Sequence, residues 1–248
     1  MSQGGRSMMT RILTVLGIIL LAATPATAQL DRLLKGLSTT PQSGLGDAKI
    51  VDGLKEALQV GTKNAVTLTG RPNGYFGNAA IKILMPEKLK TLETGLRAVG
   101  YGPQVDDFIL SMNHAAEQAA PAAKQIFVDA ITAMTFDDAT KILHGSDTAA
   151  TEYFKDKTTD RLSTAFRPTV ERAMNEVGVT RQYNALIGQA GNIPFLRTES
   201  YDLNQYVVGK SLDGLFHVLG DEERKIRTNP TARVTDLLKD VFGSVGKP

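Results

Sequence analysis

The stretch from Val105 to Met134, VDDFILSMNHAAEQAAPAAKQIFVDAITAM, is the longest candidate helix in this chain. Its apolar residues recur at three- to four-residue steps, the spacing of one helix face. They are Ile109, Met112, Ala116, Ala119, Ala123, Ile126, Ala130 and Met134. Pro121 lies inside the stretch. We therefore expect the helix either to kink near Glu117 or to break into two helices there.

Helical spacing also precedes this stretch. A first helix is predicted after Asp47, which is a suitable N-cap, and its apolar face contains Ile50, Leu54, Leu58, Ala65 and Leu68. Pro86 suits the first turn of another helix, and Gly100 is expected to end it.

The same spacing continues towards the C-terminus. Thr135 and Asp138 have the pattern of a capping box that opens a short helix, and Gly145 should end it. Further helices are predicted over residues 148–177, 180–188, 208–219 and 234–242, with a loop over 190–200. The sequence therefore predicts an all-α fold, with a single compact multi-helix domain over residues 47–248 and a short segment, 29–46, before it.

Two segments depart from the helical pattern. Gly70, Pro72, Gly74 and Gly77 predict a loop centred on Asn73. Ile81, Ile83 and Met85 then alternate with other residues, as in a strand or an extended connector. We favour the connector, because the chain offers too few other strands to build a sheet.

The first 28 residues have the pattern of a secretory signal peptide. Arg6 and Arg11 precede an apolar run from Ile12 to Ala23, and small residues follow up to Ala28. We expect cleavage after Ala28 and a periplasmic protein. The run is shorter than the roughly 20 residues that a membrane-spanning helix needs, and we expect no transmembrane segment in the mature chain.

The amino-acid composition argues against several classes of function. Removing residues 1–28 takes away two of the 28 basic residues and leaves 26 basic against 26 acidic residues. The neutral balance argues against nucleic acid as a partner. The chain has no cysteine, which excludes disulfides, cysteine-ligated zinc and a lipid-modified cysteine.

Asn113 and Glu117 are the first candidate site residues. They are one helical turn apart beside the alanine face, and Pro121 leaves the Glu117 carbonyl without its usual N–H donor. The pair could bind a ligand, with Glu117 as a general base. Alternatively, it could form a buried polar network that fixes helix register, which is the more common role of such groups.

Tyr75 and Phe76 are the second candidates, because they place apolar rings in a loop where polar residues are usual. They could form a binding lid or fold back onto the core as a plug. His114, His144 and His217 lack the spacing of a metal site, and no nucleophile motif is present, so we expect no metal, cofactor or catalytic triad. Arg227 is expected to form a structural ion pair with a nearby acid of the segment 221–223.

Several spaced motifs resemble one known family. They include Gly53-Leu-Lys-Glu-Ala-Leu58, Gly74-Tyr-Phe76, Ala149-Ala-Thr-x-Tyr-Phe154, Leu212-Asp-Gly-Leu-Phe216 and Leu237-Leu-Lys-x-Val-Phe242. Over about residues 50–243 the chain resembles the exported bacterial family called domain of unknown function 4197. The resemblance implies an exported, mostly helical domain and brings no catalytic or binding residues with it. Some members resemble lipoproteins, and this chain departs from them by having no cysteine.

These observations favour a noncatalytic periplasmic binding protein, with a groove between helices for an apolar small molecule or an envelope protein. One alternative is an enzyme that uses Glu117 as acid or base while Asn113 orients the substrate. Another is a structural factor of the envelope that acts through a protein partner.

Overall fold

A computed structural model describes residues 43–176 and 202–229, with Ala185 and Gly188 between them. Every regular element in these ranges is a helix, which confirms the all-α class. We number the α-helices α1 Ser43–Gly70, α2 Lys90–Ala98, α3 Gly102–Ala119, α4 Ala123–Ala133, α5 Phe136–Leu143, α6 Ala149–Glu176 and α7 Leu203–Thr228. Two 3₁₀ turns, Glu87–Leu89 and Ala120–Ala122, complete the set. The described residues beyond Gly44 belong to one compact unit.

The core is built around the two long helices α6 and α7, which pack against each other. Helix α3 packs against both of them, and α4 packs against α6. Phe127 of α4 lies edge-on to Phe154 of α6 and to Phe216 of α7, with ring centroids 5.2 and 6.3 Å apart. Edge-to-face geometry is favourable between aromatic rings and adds to the gain from burying them.

Pro121 breaks the long predicted helix into two. Helix α3 ends at Ala119, a single 3₁₀ turn follows, and α4 begins at Ala123. Proline has no N–H for the usual helical hydrogen bond, and a tighter turn accommodates that loss. A Cβ added to Gly70, at the end of α1, would lie 3.4 Å from the Pro121 ring, so the break also lets α1 approach closely.

The segment after the glycine-rich loop is the expected extended connector. Ile81, Ile83 and Met85 are buried, whereas Leu84 between them is 55% exposed. No strand forms over the described residues 82–86. The alternation of apolar residues in the sequence therefore arises because one face of this extended segment is buried against helices.

The predicted helix ends are largely confirmed. Thr135 and Asp138 form the capping box of α5, with each side chain accepting the other's backbone N–H at 3.1 Å. Gly100 follows α2 with φ of +92°, and its N–H and that of Tyr101 donate to the carbonyls of Arg97 and Leu96. This is the Schellman arrangement that favours glycine.

Two predicted boundaries were wrong. Helix α1 begins at Ser43, so Asp47 lies inside the helix and is not its N-cap. Pro86 precedes the 3₁₀ turn and lies outside the next helix. Helix α6 is described as far as Glu176, so its predicted end at Val177 lies outside the described residues, and it contains Pro168 without a break. Four predictions lie outside the described residues: the signal peptide, most of the helix at 180–188, the loop at 190–200 and the last helix, 234–242.

Among the described helices, none is both long enough and apolar enough to span a membrane.

Candidate functional site

Helix α3 carries Asn113 and Glu117 on its buried face, one turn apart. Asn113 is fully buried and Glu117 is 5% exposed. Neighbouring positions of the same helix are small alanines, Ala115, Ala116 and Ala119, all of them buried. Small side chains leave room for backbone from other segments to reach the two polar groups.

The Glu117 carboxylate binds the backbone of the glycine-rich loop. Its Oε1 accepts the N–H groups of Tyr75 and Phe76 at 3.1 and 3.2 Å, and its Oε2 accepts the N–H of Asn73 at 3.1 Å. No lysine, arginine or histidine lies within 4 Å of this carboxylate among the described side chains. The charge is therefore stabilised by three amide dipoles rather than by an ion pair.

Loop geometry explains why these three amides converge. Asn73 has φ of +58°, a left-handed conformation that asparagine tolerates better than most residues. A Cβ on Gly74 would lie 2.4 Å from the Leu68 carbonyl oxygen and 2.6 Å from that of Thr69. Only glycine therefore fits where the loop turns back over the end of α1.

The Asn113 amide pairs with the extended connector. Its Oδ1 accepts the Ile83 N–H at 2.8 Å, and its Nδ2 donates to the carbonyls of Ile83 and Ile109, at 2.8 and 2.7 Å. The side chain therefore satisfies both backbone groups of a buried residue, as a neighbouring strand would. Asn113 holds the connector against α3, while Glu117 holds the loop before it.

Tyr75 and Phe76 have different surroundings. The Tyr75 ring is fully buried and its hydroxyl donates to the Ser211 carbonyl of α7 at 2.6 Å. Burial raises the pKa of the Tyr75 phenol above its ordinary value, and the charges of Glu117 and Asp213 raise it further. Phe76 is half-buried, with the Lys82 ammonium 3.8 Å from its ring centroid, a cation–π contact.

The structure thus brings Tyr75, Phe76 and Glu117 into one cluster and places Asn113 one turn away. The polar groups of Asn113, Glu117 and Tyr75 all have partners within the protein. Glu117 also lines an open depression of about 320 Å³, with Gly70, Pro72, His114, Gln118 and Pro121. Ligand binding by the four predicted residues stays a prediction.

A larger groove, of about 540 Å³, lies between the connector and the N-terminal half of α7; we call it the connector groove. Its apolar lining includes Ile81, Leu84 and Met85, and charged side chains surround it: Lys82, Glu87, Lys90, Lys210 and Asp213. Sequence reasoning missed this groove. The exposed Leu84, out of phase with its buried neighbours, is the signal that could have indicated it.

The charges around the connector groove are unequally paired. Lys90 lies 2.6 Å from Glu87, and Lys210 lies 2.9 Å from Asp213. Lys82 has no carboxylate within 4 Å among the described side chains, and its ammonium rests on the Phe76 ring. Among the described side chains, the groove therefore combines the exposed Leu84 with one lysine, Lys82, that has no carboxylate partner.

A second buried carboxylate joins three helices. Glu223 of α7 accepts the N–H groups of Ala150 and Thr151 at the start of α6, at 2.9 and 2.8 Å. Arg227 donates to Glu223 at 2.9 Å and to the Ile142 carbonyl of α5 at 2.7 Å. The predicted structural ion pair of Arg227 is confirmed. Arg227 caps the C-terminal end of α5, and Glu223 caps the N-terminal end of α6.

No group of three or more histidine, aspartate and glutamate side chains that could hold a metal ion is present in the part of the chain that the structure describes. Fold and site together define an all-helical domain in which two buried carboxylates anchor backbone segments. Over residues 44–243 the sequence matches the model of a family described as a protein of unknown function, DUF4197. The chain belongs to this family. No curated protein and no solved structure matches it.

Proposed function

We propose that this protein is an exported, noncatalytic binding protein and that the connector groove is its binding surface. The observation that carries the proposal is the internal pairing of the buried polar groups. Both oxygens of Glu117 accept loop amides, and Asn113 donates and accepts at the connector. Protonation of Glu117 would weaken the hydrogen bonds that hold the loop, so acid–base catalysis would act against the contacts that this carboxylate makes.

The connector groove supports binding because it is open and exposes an apolar side chain among charged ones. Leu84 is 55% exposed there, which places a large apolar side chain in contact with water. Covering such a side chain contributes about 25 cal/mol for each Å² removed from water. We infer that the ligand, or the bound segment of a partner protein, is apolar with a negative group that lies near Lys82.

Export is the second part of the proposal, and it rests on the leader. Residues 1–28 combine two arginines, an apolar run and a small-residue cleavage pattern. The ligand or partner would therefore be met in the periplasm.

Native mass spectrometry of the protein purified from its own periplasm tests the binding surface. Leu84→Glu places a charge in the groove at a position whose side chain is 55% exposed. Val99→Glu is the matched control, because Val99 is 53% exposed and lies outside the groove. A copurifying mass should be lost with Leu84→Glu and retained with Val99→Glu. Equal retention by both variants would exclude the connector groove.

A further inference from the structure

The connector is extended over residues 82–86, and Asn113 occupies one edge of its backbone. Asn113 accepts the Ile83 N–H and donates to the Ile83 carbonyl, both at 2.8 Å. A peptide group is planar and trans, so its C=O and its N–H point in opposite directions. The two peptide groups that flank Ile83 therefore direct the Lys82 carbonyl and the Leu84 N–H away from Asn113.

The Lys82 carbonyl and the Leu84 N–H lie on the side of the connector that faces helix α7. The Leu84 carbonyl accepts the hydroxyl of Tyr206, in α7, at 3.0 Å, and in an extended chain the N–H and C=O of one residue share a side. Lys82, Leu84 and Tyr206 all line the connector groove. Among the described residues, neither the Lys82 carbonyl nor the Leu84 N–H has a hydrogen-bond partner.

One residue of an added parallel strand matches this pair of backbone groups. In a parallel pair, a residue donates to the carbonyl that precedes the opposite residue and accepts from the N–H that follows it. An extended partner residue opposite Ile83 would therefore bond to Lys82 and Leu84 together. The open edge is short, because the Lys82 N–H already donates to the Asn78 carbonyl and Pro86 has no N–H.

The side chains beside this edge indicate the sequence of the added strand. Alternate side chains lie on opposite faces of a strand, so the partner residues before and after the bonded one would lie beside Lys82 and Leu84. Lys82 has no carboxylate within 4 Å in the part of the chain that the structure describes. Leu84 is an exposed apolar side chain. An acidic residue followed by two apolar residues therefore fits the edge.

We propose that the connector groove binds an extended protein segment by strand addition at Lys82 and Leu84, with the pattern acidic, apolar, apolar. This inference rests on the proposed function, because it specifies what the connector groove binds. In strand addition, main-chain hydrogen bonds provide affinity and the neighbouring side chains provide specificity. The groove volume, about 540 Å³, lies within the range of about 300–1,000 Å³ that is usual for ligand sites.

The probe is a synthetic peptide, acetyl-Ser-Thr-Glu-Val-Val-Thr-Ser-amide, added to the ¹⁵N-labelled full chain. The Leu84 amide resonance should shift, and its exchange with deuterium should slow, because the N–H gains an acceptor. N-methylation of the first valine removes the donor to the Lys82 carbonyl and should weaken binding about five-fold or more. N-methylation of the second valine, whose N–H faces away from the connector, is the matched control. Equal binding by the two methylated peptides would overturn strand addition.

Lys82→Met tests the acidic position of the segment. The probe with glutamine in place of glutamate should bind the unaltered protein about two- to five-fold more weakly. The two peptides should bind Lys82→Met equally. Lys88→Met is the control, because Lys88 is exposed and lies outside the groove, and it should keep the preference for glutamate. An unchanged preference in Lys82→Met would contradict the acidic position.

Copurification separates this inference from the proposed function. A small molecule that is lost with Leu84→Glu, together with an unshifted Leu84 amide at about 1 mM probe, would overturn strand addition and leave the groove as a binding surface. A copurifying mass that Leu84→Glu retains would overturn both.

Discussion

Glu117 is a buried carboxylate that the loop backbone stabilises in place of a cation. The N–H groups of Asn73, Tyr75 and Phe76 donate to its two oxygens. They belong to one tight loop, which can form only with glycine at residue 74. Charge-assisted hydrogen bonds of this kind are about twice as strong as neutral ones. The loop and the carboxylate therefore depend on each other.

Glu117→Ala should lower the free energy of unfolding by about 1 to 3 kcal/mol, because it leaves buried amides without an acceptor. Glu117→Gln should cost less, since its carbonyl oxygen can still accept from Tyr75 and Phe76. Gln118→Ala, at the exposed neighbouring position, is the control. Urea denaturation measures all three. Unchanged or raised stability in both Glu117 variants would contradict the structural role and favour a functional one.

The sequence placed Asn113 and Glu117 on one helix face but left their role open. Helical periodicity determines which side chains point together, and it carries no information about segments distant in the chain. The amides that Glu117 accepts are 41 to 44 residues away from it. Only the fold brings them to the carboxylate.

Among the helices, α7 shows how a glycine can be required by a neighbour. A Cβ on Gly214 would lie 2.5 Å from Cε1 of Tyr75 and 3.1 Å from Cβ of Ile81, whereas a Cβ on Gly209 would meet nothing within 4 Å. Alanine is favoured over glycine inside a helix by about 1 kcal/mol. The two positions should therefore respond to the same substitution with opposite signs.

Gly214→Ala should destabilise the protein by about 1 to 3 kcal/mol, because the buried Tyr75 ring must shift. Gly209→Ala should stabilise it by up to about 1 kcal/mol. Chemical denaturation of the two variants compares them directly. A stabilising Gly214→Ala would show that Tyr75 does not pack against α7 as described.

The Glu223–Arg227 pair links three helix ends, and it is mostly buried, with side chains 6% and 11% exposed. Removing Arg227 leaves Glu223 with only the hydrogen bonds from Ala150 and Thr151, and breaking a buried pair costs up to about 3 to 5 kcal/mol. Arg227→Ala should therefore destabilise strongly.

Arg224→Ala is the matched control, because Arg224 pairs with Asp221 on the exposed face of the same helix. Its effect should be below about 1 kcal/mol. Thermal unfolding of the two variants under the same conditions measures the difference in their stability. Similar effects of both substitutions would show that the buried pair contributes no more than a surface pair.

Within the helices, the capping residues were the feature that the sequence predicted best. Thr135 with Asp138 and Gly100 were assigned from local sequence, and the structure confirms both. Such signals act within one helical turn, so nearby residues suffice to predict them. The Asp47 prediction failed because the helical pattern extends further towards the N-terminus than the first apolar residues showed.

For the whole molecule, the leader predicts a mature chain of 220 residues that begins at Gln29. Ala26 and Ala28 provide the small side chains that signal peptidases accept. Intact mass spectrometry of periplasmic protein should give the mass of residues 29–248. A mass that includes residues 1–28 would contradict export with cleavage, and Ala28→Leu should slow processing as a control.

The sequence by itself determined the helical class and the extended connector. At Pro121 it predicted two outcomes, a kink or a break, and the break is the one that occurs. These features follow from spacing and from the chemistry of proline and glycine, which act over a few residues. The family resemblance, confirmed over residues 44–243, was also available from spaced motifs.

Only the tertiary structure decided how these elements meet. It showed that Glu117 binds a loop, that Asn113 pairs with Ile83, and that the connector and α7 enclose a groove. The physical reason is that a buried polar group is satisfied by whichever partner the folded chain brings within about 3 Å. That partner is set by packing between distant segments, which spacing along the sequence does not contain.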